Sequence, residues 1–136
     1  GRADARARRG TVIDLDANFL IGALRGSSPA VRPLERWIRE GESISLSAIA
    51  WSELLCGPLT AGQAERARIF VSRVDPFTRE DATLAAELFN ETGRRQRSLA
   101  DCMIAATAIR REARLATFDR AGFSRFVRFR LQLQKI

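Results

Sequence analysis

The sequence predicts an α/β domain built on a parallel sheet. Three observations predict it. Short apolar runs of strand length alternate with longer segments of helical periodicity. The helical segments open on recurrent capping signals and several close at glycine. No internal repeat or low-complexity linker interrupts the 136 residues, a length suited to one domain with a core of its own.

The elements follow in order. "TVIDL", from Thr11 to Leu15, is a short buried strand, and "ANFLIGALRG" is a helix ending near Gly26. Ser28 with Pro29 is a helix start, with serine as N-cap and proline in the first turn. That helix runs to about Glu40, with Val31, Leu34, Trp37 and Ile38 on one face, and stops at Gly41. "SISLS" is a second strand, and Ser47 caps "AIAWSELLC", which ends at Gly57-Pro58. Thr60 with Gln63 has capping-box spacing and opens a helix to about Arg73. "VDPF" is a weak third strand. Thr78 with Asp81 repeats the box and opens a helix through Phe89, broken at Gly93. Ser98 with Asp101 is a further box before the Ala-rich helix "ADCMIAATAIRREA". Ala100, Ala105, Ala106 and Ala108 let that helix approach the sheet closely. "RLATF" is a strand, "DRAGFSRF" a turn of helix, and "VRFRLQL" a last strand.

Composition excludes several chemistries. Hydrophobic residues make up 46% of the chain, enough to fold it unaided. No apolar run approaches the ~20 residues of a membrane span. "GRADARARRG" has no apolar segment behind it, so it is a solvated basic arm or an expression remnant rather than a signal peptide. The start at Gly1 suggests processing or trimming. The two cysteines, Cys56 and Cys102, lie inside apolar helical patterns, as two buried free thiols of a reducing, cytoplasmic compartment would; a disulfide between them stays open. There is no histidine. Ser-His-Asp, Cys-His and HExxH chemistries are therefore absent, and an ordinary zinc site lacks soft ligands. Hydrolysis would have to rest on carboxylates, through a hard oxygen-ligated cation.

The net charge of +7 is uneven. Residues 1–93 carry 12 Arg and 13 acidic residues, a net of −1; residues 94–136 carry 10 Arg and Lys135 against Asp101, Glu112 and Asp119, a net of +8. Such asymmetry points to a polyanion partner, whereas a codon bias toward arginine would act along the whole chain.

Ligand sites in open α/β sheets form beyond the carboxyl ends of the strands. Four acids lie there. Asp16 ends the first strand, Glu53 lies in the helix after the second, Asp101 opens the Ala-rich helix, and Asp119 ends "RLATF". Each also has a plain role available. Asp16 and Asp119 are N-cap residues, Glu53 belongs to the wet face of its helix, and Asp101 completes a box or pairs with Arg97. Asp14, two residues before Asp16 on the strand, is placed on the same side and needs a partner or a cation.

"VIDLDAN" resembles the Asp-x-Asp opening of haloacid-dehalogenase phosphatases through Asp14 and Asp16. That family also needs a lysine near the phosphoryl group and a late acidic pair after a strand. The only lysine here is Lys135, and the last adjacent acids, Glu80 and Asp81, open a helix. A second resemblance runs through nearly the whole chain. "VIDLDANFLIGAL", "SLSAIAWSELLCG", "RSLADCMIAATA" and "LATFDRAGFSRF" resemble, in order, the four motifs of PIN-domain ribonucleases. Their length and spacing are similar to the VapC-like toxins of type II toxin–antitoxin systems. The resemblance implies a single three-layer α/β/α domain over residues 11–136 with a mostly parallel sheet of about five short strands. It implies Asp16, Glu53, Asp101 and Asp119 as catalytic metal ligands for Mg²⁺ or Mn²⁺, supported by Asn18 and Thr117. Asp14 stands where the family usually has an apolar residue, and either adds a supporting carboxylate beside the site or is a strand acid paired with an arginine. It further implies cleavage of single-stranded RNA, a cognate VapB-like antitoxin and a homodimer. Ala17 replaces the family's usual Thr or Ser, which removes a hydroxyl near Asp16. Arg94, Arg95 and Arg97, just before the Asp101 helix, either hold RNA phosphates or form an ordinary solvated loop. Trp37 and Trp51 belong to the core or to an antitoxin groove. A non-catalytic RNA- or protein-binding module remains the alternative reading.

Overall fold

The computed structural model describes residues 12–26, 29–71, 73–95 and 98–136. Five strands form one sheet: β1 (Val12–Leu15), β2 (Ser43–Ser47), β3 (Arg73–Asp75), β4 (Arg114–Ala116) and β5 (Gln132–Leu133). Their order is β3-β2-β1-β4-β5, and every neighbouring pair is parallel. Parallel pairing demands crossovers, and the connecting helices supply them. These are α1 (Ala17–Arg25), α2 (Val31–Arg39), α3 (Ala48–Leu55), α4 (Ala61–Phe70), α5 (Arg79–Glu91), α6 (Leu99–Arg110) and the single turn α7 (Arg120–Phe123). The predicted α/β class, the strand number and the three layers are all present.

β1 is the centre of the sheet, and its residues alternate between two different environments. Ile13 and Leu15 share one side with Ile44 and Leu46 of β2, and all four are fully buried. Helix α1 brings Phe19, Leu20 and Leu24 into the same core, and α2 adds Leu34 and Trp37. α5 and α6 pack side by side. Their arrangement is antiparallel, because Asp81 in the first turn of α5 meets Arg110 and Arg111 at the last turn of α6. Ala105, Ala106 and Ala108 of α6 are fully buried, as the small-residue pattern predicts.

The capping signals largely hold. Ser47, Thr60 and Thr78 accept from the third backbone N–H of their helices, and the boxes Thr60–Gln63 and Thr78–Asp81 are complete. Gly26 ends α1 at φ +75°, a conformation that suits glycine. Ser98 departs from expectation. Its hydroxyl donates to the Arg95 carbonyl at 2.6 Å instead of capping α6, which leaves Asp101 free of a box. Thr11 and Ser28 lie outside the described residues, and the second helix begins at Val31, after an Ala30 already in helical conformation.

Other boundaries shift for local reasons. α4 ends at Phe70 because Arg73 is claimed by β3, and α5 continues through Glu91. The last strand shrinks from "VRFRLQL" to Gln132–Leu133. Ser124–Phe129 winds instead as a 3₁₀ helix that buries Phe126 and ends at Arg130 with φ +79°. Ile38 is 40% exposed rather than on the buried face. Cys102 is buried and Cys56 exposed, and both are free, so neither two buried thiols nor a disulfide is found. Cys56 follows the last turn of α3, past its buried positions Ala50 and Leu54.

Asp14 needs a larger correction. It sits in a row across the sheet, paired in register with Ser45, which is paired with Arg73. It is 2% exposed, and the Ser45 hydroxyl donates to its Oδ1. Burial lifts its carboxyl above the ordinary range; Ser45 opposes the lift, Asp75 adds to it, and Arg73 and Arg111 oppose it. None of these neighbours belongs to the four predicted metal ligands. Asp14 is therefore the strand acid with structural partners, and Asp16 leaves the sheet toward β4.

A neighbouring ion-pair network joins the sheet to its helices. Asp75 pairs with Arg73 at 3.1 Å and Arg111 at 3.6 Å; Asp81 pairs with Arg110 at 2.9 Å and Arg111 at 3.1 Å. Burial would raise the Asp81 pKa, but the hydrogen bonds from Arg111 and Thr78 outweigh it and the net shift is downward. A lowered acid stabilises the fold above its unfolded pKa and loses that contribution as pH falls through its folded value. D81A should therefore cost roughly 3 kcal/mol at neutral pH by leaving charge unpaired, and the gap to the parent should close below about pH 4 in urea titrations. Asp14, with a raised pKa, has the opposite sign: its contribution is present below the unfolded pKa and is lost as pH rises. D14N should keep the fold and gain stability relative to the parent between acid and neutral pH in the same titrations.

Candidate active site

The strand order places β2 and β4 on opposite sides of β1. The chain passes from β1 to β2 on one side and returns from β3 to β4 on the other, so the strand order reverses at β1, where open α/β sheets place a crevice beyond the carboxyl ends of the strands. The Asp16 backbone N–H crosses to the Ala116 carbonyl at 3.0 Å, fastening the end of β1 to the end of β4. The Thr117 hydroxyl then donates to Asp16 Oδ2 at 2.8 Å and accepts from the Asp119 N–H at 3.0 Å. Thr117 is fully buried, so one hydroxyl fixes both acids. It also supplies a hydroxyl at Asp16 despite Ala17.

Asp16 occupies the N-cap position of α1, yet its side chain makes no capping bond. Its carboxylate is given to Thr117 instead. Burial raises its pKa, the Thr117 bond opposes the rise, and Asp119 adds to it. Asp101 stands in the first turn of α6. Burial also raises its pKa, with Asp16 and Asp119 adding and Arg125 opposing. Glu53, on α3, is exposed at the rim; desolvation in the crevice comes first in raising its pKa, followed by Asp16 and Asp101. Asp119 is exposed and fills its capping role, accepting from the Gly122 N–H at 3.0 Å. Four acids from four distant segments thus share one electrostatic neighbourhood. Asn18 is exposed in the first turn of α1.

Two further residues escaped the sequence reading. Arg125 Nη2 lies 4.0 Å from Asp101 Oδ2, and its guanidinium stands 4.5 Å from the Phe126 ring centroid. Its Nε and Nη2 are buried without a hydrogen bond among the described residues. It reads in sequence as one of many arginines in the basic third. Gly122 is required by contact: a Cβ there would overlap the Asp119 carboxylate. The Asp119–Gly122 spacing was the available signal.

Of the arginines expected to hold RNA, Arg94 and Arg95 are exposed. Arg94 donates to Asn90 at 2.8 Å and lies over Phe89, so its guanidinium is partly held by α5. Arg97 lies outside the described residues. Trp37 is buried and stacks on Phe19, a core role, while Trp51 is half-buried against the same core.

The donor set suits a hard divalent cation in kind, being all oxygen and mutually repulsive. Among the described residues no three such side chains are gathered closely enough to hold an ion as they stand. Glu53 and Asp119 are the two exposed members, and Asp119 is held by its capping bond from Gly122.

Comparison with known proteins agrees with this geometry. The chain is similar in structure to VapBC2 from Rickettsia felis, solved with a DNA fragment from its promoter (TM-score 0.71, 21% identity, covering 90% of this chain and 97% of that one). It is similar to a toxin–antitoxin complex from Klebsiella pneumoniae (0.67, 26%, 82% and 90%). It is also similar to FitAcB from Neisseria gonorrhoeae (0.67, 24%, 90% and 96%). Among curated proteins none matches. The sequence profile of the PIN domain matches residues 13–128, through all four acids and the crevice between them, and the chain belongs to the PIN domain family.

Proposed function

We propose that the chain is an endoribonuclease that cleaves single-stranded RNA with Mg²⁺ or Mn²⁺ and is the toxin of a toxin–antitoxin pair. The coarser statement is firm: the toxins of this family are nucleases, and the fold is theirs. The observation that carries the finer reading is the convergence of Asp16, Glu53, Asp101 and Asp119, offset among the described residues by Arg125. Three of the four have raised pKa values, and repulsion among them contributes to each. A cation relieves that repulsion, and these four residues would hold it. When bound, it would lower the pKa of a water and offset charge on the phosphate.

The chain's own groups do the rest. Thr117 holds Asp16 and the Asp119 backbone in fixed relation. Gly122 keeps space for the Asp119 carboxylate. Arg125 stands beside Asp101 and restrains the charge of the cluster. Exposed Arg94 and Arg95 offer phosphate contacts, each of which would steepen the salt dependence of binding. The likeness to toxin–antitoxin structures supports an antitoxin partner; the homodimer rests on the family resemblance of the sequence alone. The phosphatase reading loses its nucleophile, because Asp14 is buried in the sheet away from this crevice.

The test is cleavage of unstructured RNA. The parent should cut with Mg²⁺ or Mn²⁺ and stop in EDTA, and D101N should abolish cutting while unfolding in urea as the parent does. RNA binding without cleavage under any metal would instead establish the non-catalytic module. T117V preserves shape but removes the hydroxyl from Asp16 and Asp119. Its cleavage rate or metal affinity should fall by about 10- to 100-fold, as is typical when a group supporting a ligand is lost; an unchanged rate in steady-state assays would remove Thr117 from the site.

A further inference from the structure

The crevice has an aromatic wall that the nuclease chemistry does not use. Phe118 lies between Thr117 and Asp119 and is 47% exposed. Its ring stacks on Phe19, with centroids 4.9 Å apart and planes at 24°. Phe19 is buried and stacks in turn on buried Trp37, at 5.5 Å and 18°. A column of three rings therefore runs outward from the core and ends in an open aromatic face beside the acids. The placement follows from where β4 ends: at the bend after Ala116, Thr117 is buried against Asp16 and Phe118 is left exposed.

We propose that Phe118 is a stacking platform for an unpaired base of the RNA strand, next to the phosphate held at the acids. The proposal rests on the nuclease reading and gives that site a means of choosing its substrate class. A large apolar side chain exposed between two fixed residues gains little from packing alone. Its orientation is already set by Phe19, so stacking a base extends an existing column without ordering a new side chain. Every base has a π-face, so the platform tolerates any sequence. A base inside a duplex has both faces covered, so the platform accepts single strands and rejects paired ones.

F118L keeps apolar contact with Phe19 but removes the flat face, and F118W restores it. Steady-state cleavage of random-sequence single-stranded RNA should show kcat/KM for F118L reduced by about 5- to 150-fold, the range for one lost base stack. The loss should appear mainly in KM, and F118W should act like the parent. Binding is read separately with a single-stranded oligonucleotide carrying 2-aminopurine, whose fluorescence is quenched on stacking. Cleavage-silenced D101N should quench it and D101N/F118L should not, and a duplex form of the probe should not be quenched by either. A parent that cuts no RNA would sink the nuclease reading while the quenching experiment still decides the platform. Equal quenching with and without Phe118 overturns the proposal. So does an F118L variant that cuts normally and loses only its grip on an antitoxin, which would assign the ring to a protein partner.

Discussion

The site depends on one buried hydroxyl. Thr117 donates to Asp16 across 101 positions of sequence and accepts from the Asp119 backbone two residues later. It lies where the sheet changes direction, and the backbone bond from Asp16 to Ala116 brings it there. Without this pair of contacts, the ends of β1 and β4 would still be adjacent. Their acids would not be aligned. The remaining members, Glu53 and Asp101, arrive on the helices α3 and α6, which also touch each other. Sheet order supplies proximity, and the hydroxyl supplies direction.

Much of this was legible in sequence, because the signals are local. Alternating apolar runs gave the strand count, and side chains at N-caps gave the starts of α3, α4 and α5. Asp16, Asp101 and Asp119 stand out because each lies where a strand ends or a helix begins, whereas Glu53, inside α3, stands out only through its motif. What was not legible depends on pairing across the sheet. Asp14 and Asp16 look equivalent by period, yet the row through Ser45 and Arg73 takes the first, and the bond to Ala116 turns the second away. Arg125 gave no local signal, since its importance lies in what faces it. The last strand failed for a related reason. Its apolar residues have spacing compatible with either strand or tight helix, and burial of Phe123 and Phe126 decided for the helix.

The basic C-terminal third also reads differently once folded. Arg110 and Arg111 are engaged with Asp75 and Asp81, and Arg114 reaches Glu42 and Gln134. Arg120 and Arg128 donate to backbone carbonyls while remaining exposed. Part of the positive charge therefore holds the domain together, and net charge overstates what is left for a polyanion.

The two acidic clusters make the distinction between structure and chemistry. Asp75 and Asp81 are buried and paired with Arg73, Arg110 and Arg111, so their charge is offset within the protein, while Asp14 beside them is held by Ser45 and keeps a raised pKa. Asp16, Glu53, Asp101 and Asp119 share their own neighbourhood, where, among the described residues, Arg125 is the one cation at ion-pair distance. Equal acids thus meet unequal compensation. A protein selected only for stability would treat the second cluster like the first, because uncompensated carboxylates lose stability as pH rises through their raised pKa values. The imbalance is tolerable where something from solution completes it. On the proposed function, the aromatic column ending at Phe118 and the half-held arginines belong with that cluster, as surfaces that a nucleic-acid strand and a cation would complete.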